Sequence, residues 1–170
     1  MIKSYLSSFI ILLVVLLIET AVLSNIIVLP AIPDLVLLCT LYFSLQNGKI
    51  AGEVDGFVGG LMIDFLSGGP FGLNCLIRCI IGYIGGLFSR IMNISGILVP
   101  CLLGLIATVI KAILPFGVSI FFPNYVNTYN IFSLAFISEL IMNTVLAPIV
   151  FWLLNHFASF ILLDKRIVNK

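Results

Sequence analysis

Charge is what this sequence has least of: 9% of its 170 residues are Asp, Glu, Lys or Arg, against about 25% in a soluble domain. So little charge cannot cover an ordinary water-facing surface. No basic run is longer than Lys165-Arg166 and the net charge is +1, so the chain has no surface for neutralising a nucleic-acid backbone. HExxH, GxSxG, GxxxxGK and CxxC patterns are all missing, and with them the simplest routes to metal-assisted hydrolysis, acyl transfer, phosphate binding and thiol redox chemistry. Histidine occurs once, as His156 near the far end of an apolar run, where it reads as an interfacial or packing residue. Cys39, Cys75, Cys79 and Cys101 all lie in apolar stretches and read as packed hydrophobes; Cys75 and Cys79 share a helix face, but no third ligand completes a metal site. Asp55 and Asp64 fall in one run, about 13 Å apart along a helix, too far to share a proton as an intramembrane aspartyl protease would require. The chain is therefore read as non-enzymatic and without a cofactor.

What is present is apolar: 62% of the residues, against roughly 45–50% in a soluble domain. Proline, glycine, asparagine and charge divide this material into six runs, at 5–28, 32–46, 51–66, 71–90, 96–121 and 131–160. At roughly 20 residues per bilayer crossing, six spans use most of the chain and leave no room for an appended enzyme domain. The expectation is an all-α integral membrane protein, a compact bundle of about six transmembrane helices forming one domain over 1–170. The second and third runs are short, so one or both should end below the lipid surface or sit enclosed by protein. The first run is too long for a signal-peptide core and is interrupted by Glu19, so it reads as a retained helix. With both termini cytoplasmic, Lys3, Lys49, Arg90, Lys165, Arg166 and Lys170 all fall inside, and the external connections, 30–33, 67–70 and 123–130, contain no Lys or Arg.

Arg78 and Lys111, with the acids Glu19, Asp55, Asp64 and Glu139, lie within spans, where each costs at least about 2.5–3.5 kcal/mol and must face protein and find a partner. Glu19, Lys111 and Glu139 are expected at one depth, on the order of 12–15 Å below the outer surface by helical rise, as an ion cluster joining three helices. Asp64 and Arg78 are expected to pair across the hairpin between the third and fourth spans. Gly52, Gly56, Gly60 and Asp64 recur every four residues and form a close-packing stripe, expected to meet the face of the next span carrying Asn74, Arg78 and Gly82. Gly85 and Gly86 differ by about 100° around the axis, so one of them is expected to face outward and dock a partner's span.

The stretch from Pro33 to Arg90 resembles the rod shape-determining protein MreD family. The resemblance is carried by Pro33-Asp34-Leu35, by Gly48 and Gly52, and above all by GFVGGLMIDFLSGGPFGLNCL at 56–76, in which Asp64, Ser67, Gly68, Pro70, Gly72 and Leu76 match; Gly82, Tyr83 and Gly86 extend it. Membership implies a non-enzymatic scaffold in the bacterial cytoplasmic (inner) membrane, serving cell-wall elongation and associating with the membrane span of MreC. It further implies indirect linkage to the MreB filament, RodA and its transpeptidase. The alternative is a substrate-binding subunit of an energy-coupling-factor vitamin transporter, also a small six-span protein. Such subunits carry an Ala-x-x-x-Ala motif in the first span, where this chain has only Ala21. A small ion or lipid transporter is a third reading, resting on the buried charges alone.

Overall fold

The computed structural model describes residues 2–21, 23, 31–89, 91–92, 96–123, 126 and 133–158. Among these residues the chain forms six helices and no strand: α1 (Ile2–Ala21), α2 (Leu35–Asn47), α3 (Lys49–Leu66), α4 (Leu73–Leu87), α5 (Leu98–Phe121) and α6 (Leu134–His156). Arg90, Lys165, Arg166, Lys170, Pro30 and 127–130, on which the expected orientation partly rests, lie outside the described residues.

α1, α5 and α6 are long and apolar enough to cross a bilayer. α2 has 13 residues, which rise about 20 Å and fall short of a hydrocarbon core of roughly 30 Å. The structure resolves the shortfall by enclosure. Val36 through Leu45 are all buried, and α2 is in contact with each of the other five helices. An irregular segment at membrane depth is tolerated only where protein covers it, and the chain entering α2 meets that condition, since Pro33 and Asp34 are buried.

α2 and α3 are joined through Gly48 alone, whose φ of 90° an L side chain rarely adopts. Its N–H closes α2 by donating to the Ser44 carbonyl at 2.9 Å. α3 then runs back along α2, so that a Cβ on Gly52 would strike Ser44 and one on Gly59 would touch Val36 and Thr40 of α2 and Leu12 of α1.

α3 and α4 make the most extensive contact in the bundle. A Cβ at Gly56 would overlap the Arg78 carbonyl, one at Gly60 the backbone of Asn74 and Cys75, and one at Gly82 the Gly52 carbonyl. The two helices therefore approach backbone to backbone, as small residues at four-residue spacing permit. α5 and α6 form a second antiparallel pair, in which Gly104 lies against Asn143 and Ala147.

These contacts predict unequal costs for the same substitution. Gly60→Ala should lower stability by about 1–3 kcal/mol, because the new methyl has only backbone to push against. Gly117→Ala, on α5 with open space around it, should be neutral or stabilising by about 0.5–1 kcal/mol through helix propensity. Thermal unfolding in a mild detergent measures both, and equal shifts would contradict the packing described.

Candidate functional site

A helix that starts inside a bilayer exposes backbone N–H groups with no water to satisfy them. α2 is such a helix. It begins near the level of Gly59, while α3 continues seven residues further to Leu66, about 10 Å by helical rise. Three side chains complete its N-terminus. Asp34 Oδ1 accepts from Leu37 N at 2.8 Å, Glu19 Oε2 accepts from Val36 N at 3.3 Å, and Asn143 Oδ1 accepts from Asp34 N at 2.8 Å.

The cap carries a buried negative charge, and two cations answer it. Arg78 Nη2 donates to both Asp34 carboxylate oxygens at 2.9 and 2.8 Å, and Lys111 Nζ donates to Asp34 Oδ2 at 2.6 Å. Lys111 also donates to Glu139 Oε1 at 2.6 Å. Behind them Asn143 Nδ2 donates to Thr108 Oγ1 at 3.0 Å, and Thr108 in turn donates to the Gly104 carbonyl at 2.8 Å. Side chains from α1, α4, α5 and α6 thus converge on the first turn of α2. Three carboxylates and two cations share the space, and Asp34 and Arg78 are each about 3% exposed. An ion pair this dry is stable only with near-complete hydrogen bonding, and Asp34 has it. Arg78 does not: its Nε and Nη1 are buried without a hydrogen-bond partner among the described residues.

Two sequence expectations are corrected here. Arg78 does not pair with Asp64. Asp64 instead caps α4, accepting from Gly72 N at 2.9 Å, from Asn74 N and Cys75 N at 3.1 Å each, and from Asn74 Nδ2 at 2.9 Å. The turn that brings α4 back, with Gly72 at φ 93°, aims those N–H groups at Asp64, whereas Arg78 lies about a turn and a half further along and reaches inward to α2. Nor does either Gly85 or Gly86 face outward. Both are buried, Gly85 against Leu41 and Ser44 of α2 and Gly86 against the backbone of Gly48 and Lys49. The 100° between them serves two interior neighbours at once.

The structure brings Lys111 and Glu139 together, with Glu19 accepting from Val36 N at the same helix start. Gly52, Gly56, Gly60 and Gly82 lie in the α3–α4 contact. Asp34, the hub, is missing from the charges singled out in the sequence, although it lies at the start of the second run, 32–46. Its signal was available, since an Asp directly before an apolar helical run, after a proline, is a helix-start pattern. Asp55 is buried too, with Oδ2 lacking a hydrogen-bond partner among the described residues.

Every carboxylate in the cluster is engaged by a cation or a backbone N–H, so the cluster ties α1, α2, α4, α5 and α6 together. The sequence model of the family described as rod shape-determining protein MreD matches residues 2–157. No curated protein and no solved structure matches the chain.

Removing one partner of a buried pair costs roughly 3–5 kcal/mol because the other is left uncompensated. Lys111→Met should therefore sharply reduce accumulation and thermal stability by stranding Glu139 and leaving Asp34 with Arg78 as its one cation among the described residues. Adding Glu139→Gln should restore part of the loss. Additive effects of the two substitutions on unfolding in detergent would rule out the linkage.

Proposed function

The chain belongs to the rod shape-determining protein MreD family, whose model spans residues 2–157, and from that premise we propose that it is a non-enzymatic membrane scaffold of the bacterial cell-wall elongation machinery. Rod-shape determination is the family's role. The finer reading is that the protein works in the cytoplasmic membrane by binding the membrane span of MreC, and through it is tied to MreB, RodA and its transpeptidase. The vitamin-transporter alternative gains no support from the family match.

One observation carries the scaffold reading: among the described residues most charged side chains within the helices are turned inward, and the outward surface of α3 and α4 is apolar apart from Lys49 and Glu53 near the start of α3. Asp34, Asp55, Asp64, Arg78, Glu139 and Asn143 are buried, whereas α4 presents Leu76, Tyr83 and Leu87 to its surroundings and α3 presents Val54 and Phe57 beside them. The described connections between α2, α3 and α4 are Gly48 and residues 67–72, far too small to supply the roughly 800 Å² per partner of a standard soluble interface. A partner must then be met mainly within the bilayer, where helices associate by close packing beside small residues and a few polar contacts. The outer face of the glycine-packed α3–α4 pair has that character.

Orientation follows from the same reading. The end of the bundle bearing Lys49 is assigned to the cytoplasm and the end bearing Gly68 and Gly69 to the outside, by the retention of basic residues within. In a background without the four native cysteines, Ile50→Cys should react with a thiol reagent only after the inner face is opened, and Gly69→Cys should react from outside. Both positions are exposed. The opposite pattern, or equal labelling, would reject the orientation.

The partner assignment is tested by disulfide crosslinking in native membranes. Tyr83→Cys and Leu87→Cys should each crosslink to cysteines in the MreC span, and Val14→Cys on α1 should do so less. Crosslinks confined to Val14 would move the interface to α1; none at any position would remove MreC as a direct partner.

A further inference from the structure

Glu53 is the acid that interrupts the apolar outer face of the α3–α4 pair. It is exposed one turn in from Lys49, about 6 Å by helical rise, and Phe57 is exposed one turn further along α3. The glycine contact decides which side it takes. Gly52 and Gly82 meet backbone to backbone, and the residue after each is rotated by about 100° around its own helix. In an antiparallel pair those two rotations turn the same way, so Glu53 and the exposed Tyr83 flank one outward groove. The Cys79 thiol, one turn before Tyr83 on α4, donates to the Glu53 carbonyl at 3.4 Å and lies on that side as well.

Helical side chains lean toward the N-terminus of their own helix, and α3 begins at Lys49. With that end in the cytoplasm, the Glu53 carboxylate is carried toward the inner boundary of the bilayer. Lys49 precedes Glu53 by four residues, but Lys before Glu is the less favourable order for pairing within a helix. Among the described residues the ion pairs are those joining Arg78 and Lys111 to Asp34 and Glu139, and Glu53 belongs to none of them.

A span in the cytoplasmic membrane retains Lys and Arg at its inner flank. A partner helix seated in the α3–α4 groove therefore brings a cation to the depth of Glu53. Tyr83 adds an aromatic ring, to whose face a Lys or Arg is attracted within about 6 Å. An apolar groove alone lets a helix slide along it, whereas a charge pair fixes register. We propose that Glu53, with Tyr83 beside it, receives the inner-flank Lys or Arg of the partner's span and sets the depth at which that span docks, a role that rests on the MreC reading given above.

Crosslinking from Leu87→Cys to a cysteine in the MreC span, in native membranes holding both full chains, reads the docking and leaves Glu53 and Tyr83 unaltered. Glu53→Gln should lower the crosslink yield about threefold or more and Glu53→Lys about tenfold or more, within the range of interfacial charge pairs. Changing the basic residue nearest the inner end of the MreC span to Glu should lower the yield against the unaltered chain, and with Glu53→Lys should recover at least about half of it. Should Glu53→Lys fail to accumulate, Glu53→Gln decides: combined with a neutral residue at the same MreC position, it should cost no more than either change alone. Yields unmoved by the Glu53 variants, with the Leu87 crosslink intact, overturn the role of Glu53 and leave the MreC reading standing. A loss that the reversed partner does not relieve assigns the carboxylate to lipid headgroups or to a cation of its own chain, and overturns the role equally. No MreC crosslink at any position of the unaltered pair removes the MreC reading and this inference with it.

Discussion

The salt-bridged Asp34 cap at the first turn of α2 is the interaction on which the remaining architecture depends. α2 is too short to reach from one face of a bilayer to the other, and its first turn is buried in protein, so its N-terminal peptide groups lie where no water can bind them. Asp34 satisfies Leu37 N and, with Glu19 and Asn143, closes that end. A carboxylate at this depth requires cations, so α4 supplies Arg78 and α5 supplies Lys111. Lys111 is shared in turn with Glu139 on α6. One short helix thus imposes a polar requirement on four others. Ion pairs of this kind contribute less to net stability than to the choice of one arrangement over its competitors, which suits a bundle whose apolar faces are otherwise interchangeable.

The glycine contact between α3 and α4 makes that arrangement reachable. With backbone against backbone at Gly56 and Arg78, α4 lies close enough to α2 for the Arg78 guanidinium to meet Asp34. Bulkier residues along the stripe would push α4 outward and strand both charges. Asp64 acts at the other end of the same hairpin, capping α4 so that the helix begins at the right height. Packing and charge are therefore two parts of one constraint, with the glycines setting the distance that the ion pair then uses. The surface left over is apolar, and in a family of rod shape-determining membrane proteins that surface is what remains for meeting other spans.

Much of this was legible in the sequence. Six apolar runs correspond to six helices, and the brevity of the second run signalled an enclosed element. The four-residue glycine spacing pointed to the closest helix pair. The pairing of charges was less legible for a physical reason. Depth along a helix can be counted from the sequence, but the direction in which a side chain leaves the axis toward a third helix cannot. Asp64 and Arg78 looked like partners because they are near in sequence and in height; the turn at Gly72 instead presents backbone N–H groups to Asp64, and Arg78 points to α2. Gly85 and Gly86 looked like one interior and one exterior position because only one neighbour was considered, whereas α4 packs against both α2 and α3. Asp34 opens the second run but does not stand out among the intramembrane charges, because a Pro-Asp pair before an apolar run is ordinarily at the surface; the burial of α2 carries it inside.

The central claim is that Asp34, and not Asp64, is the counter-charge of Arg78. It is tested most directly by two double-mutant cycles measured as reversible unfolding in one detergent, pairing Arg78→Met with Asp34→Asn and with Asp64→Asn. The account predicts a coupling of about 1–3 kcal/mol for the first pair and additivity within about 0.5 kcal/mol for the second. Additivity between Asp34 and Arg78, with strong coupling between Asp64 and Arg78, would contradict it.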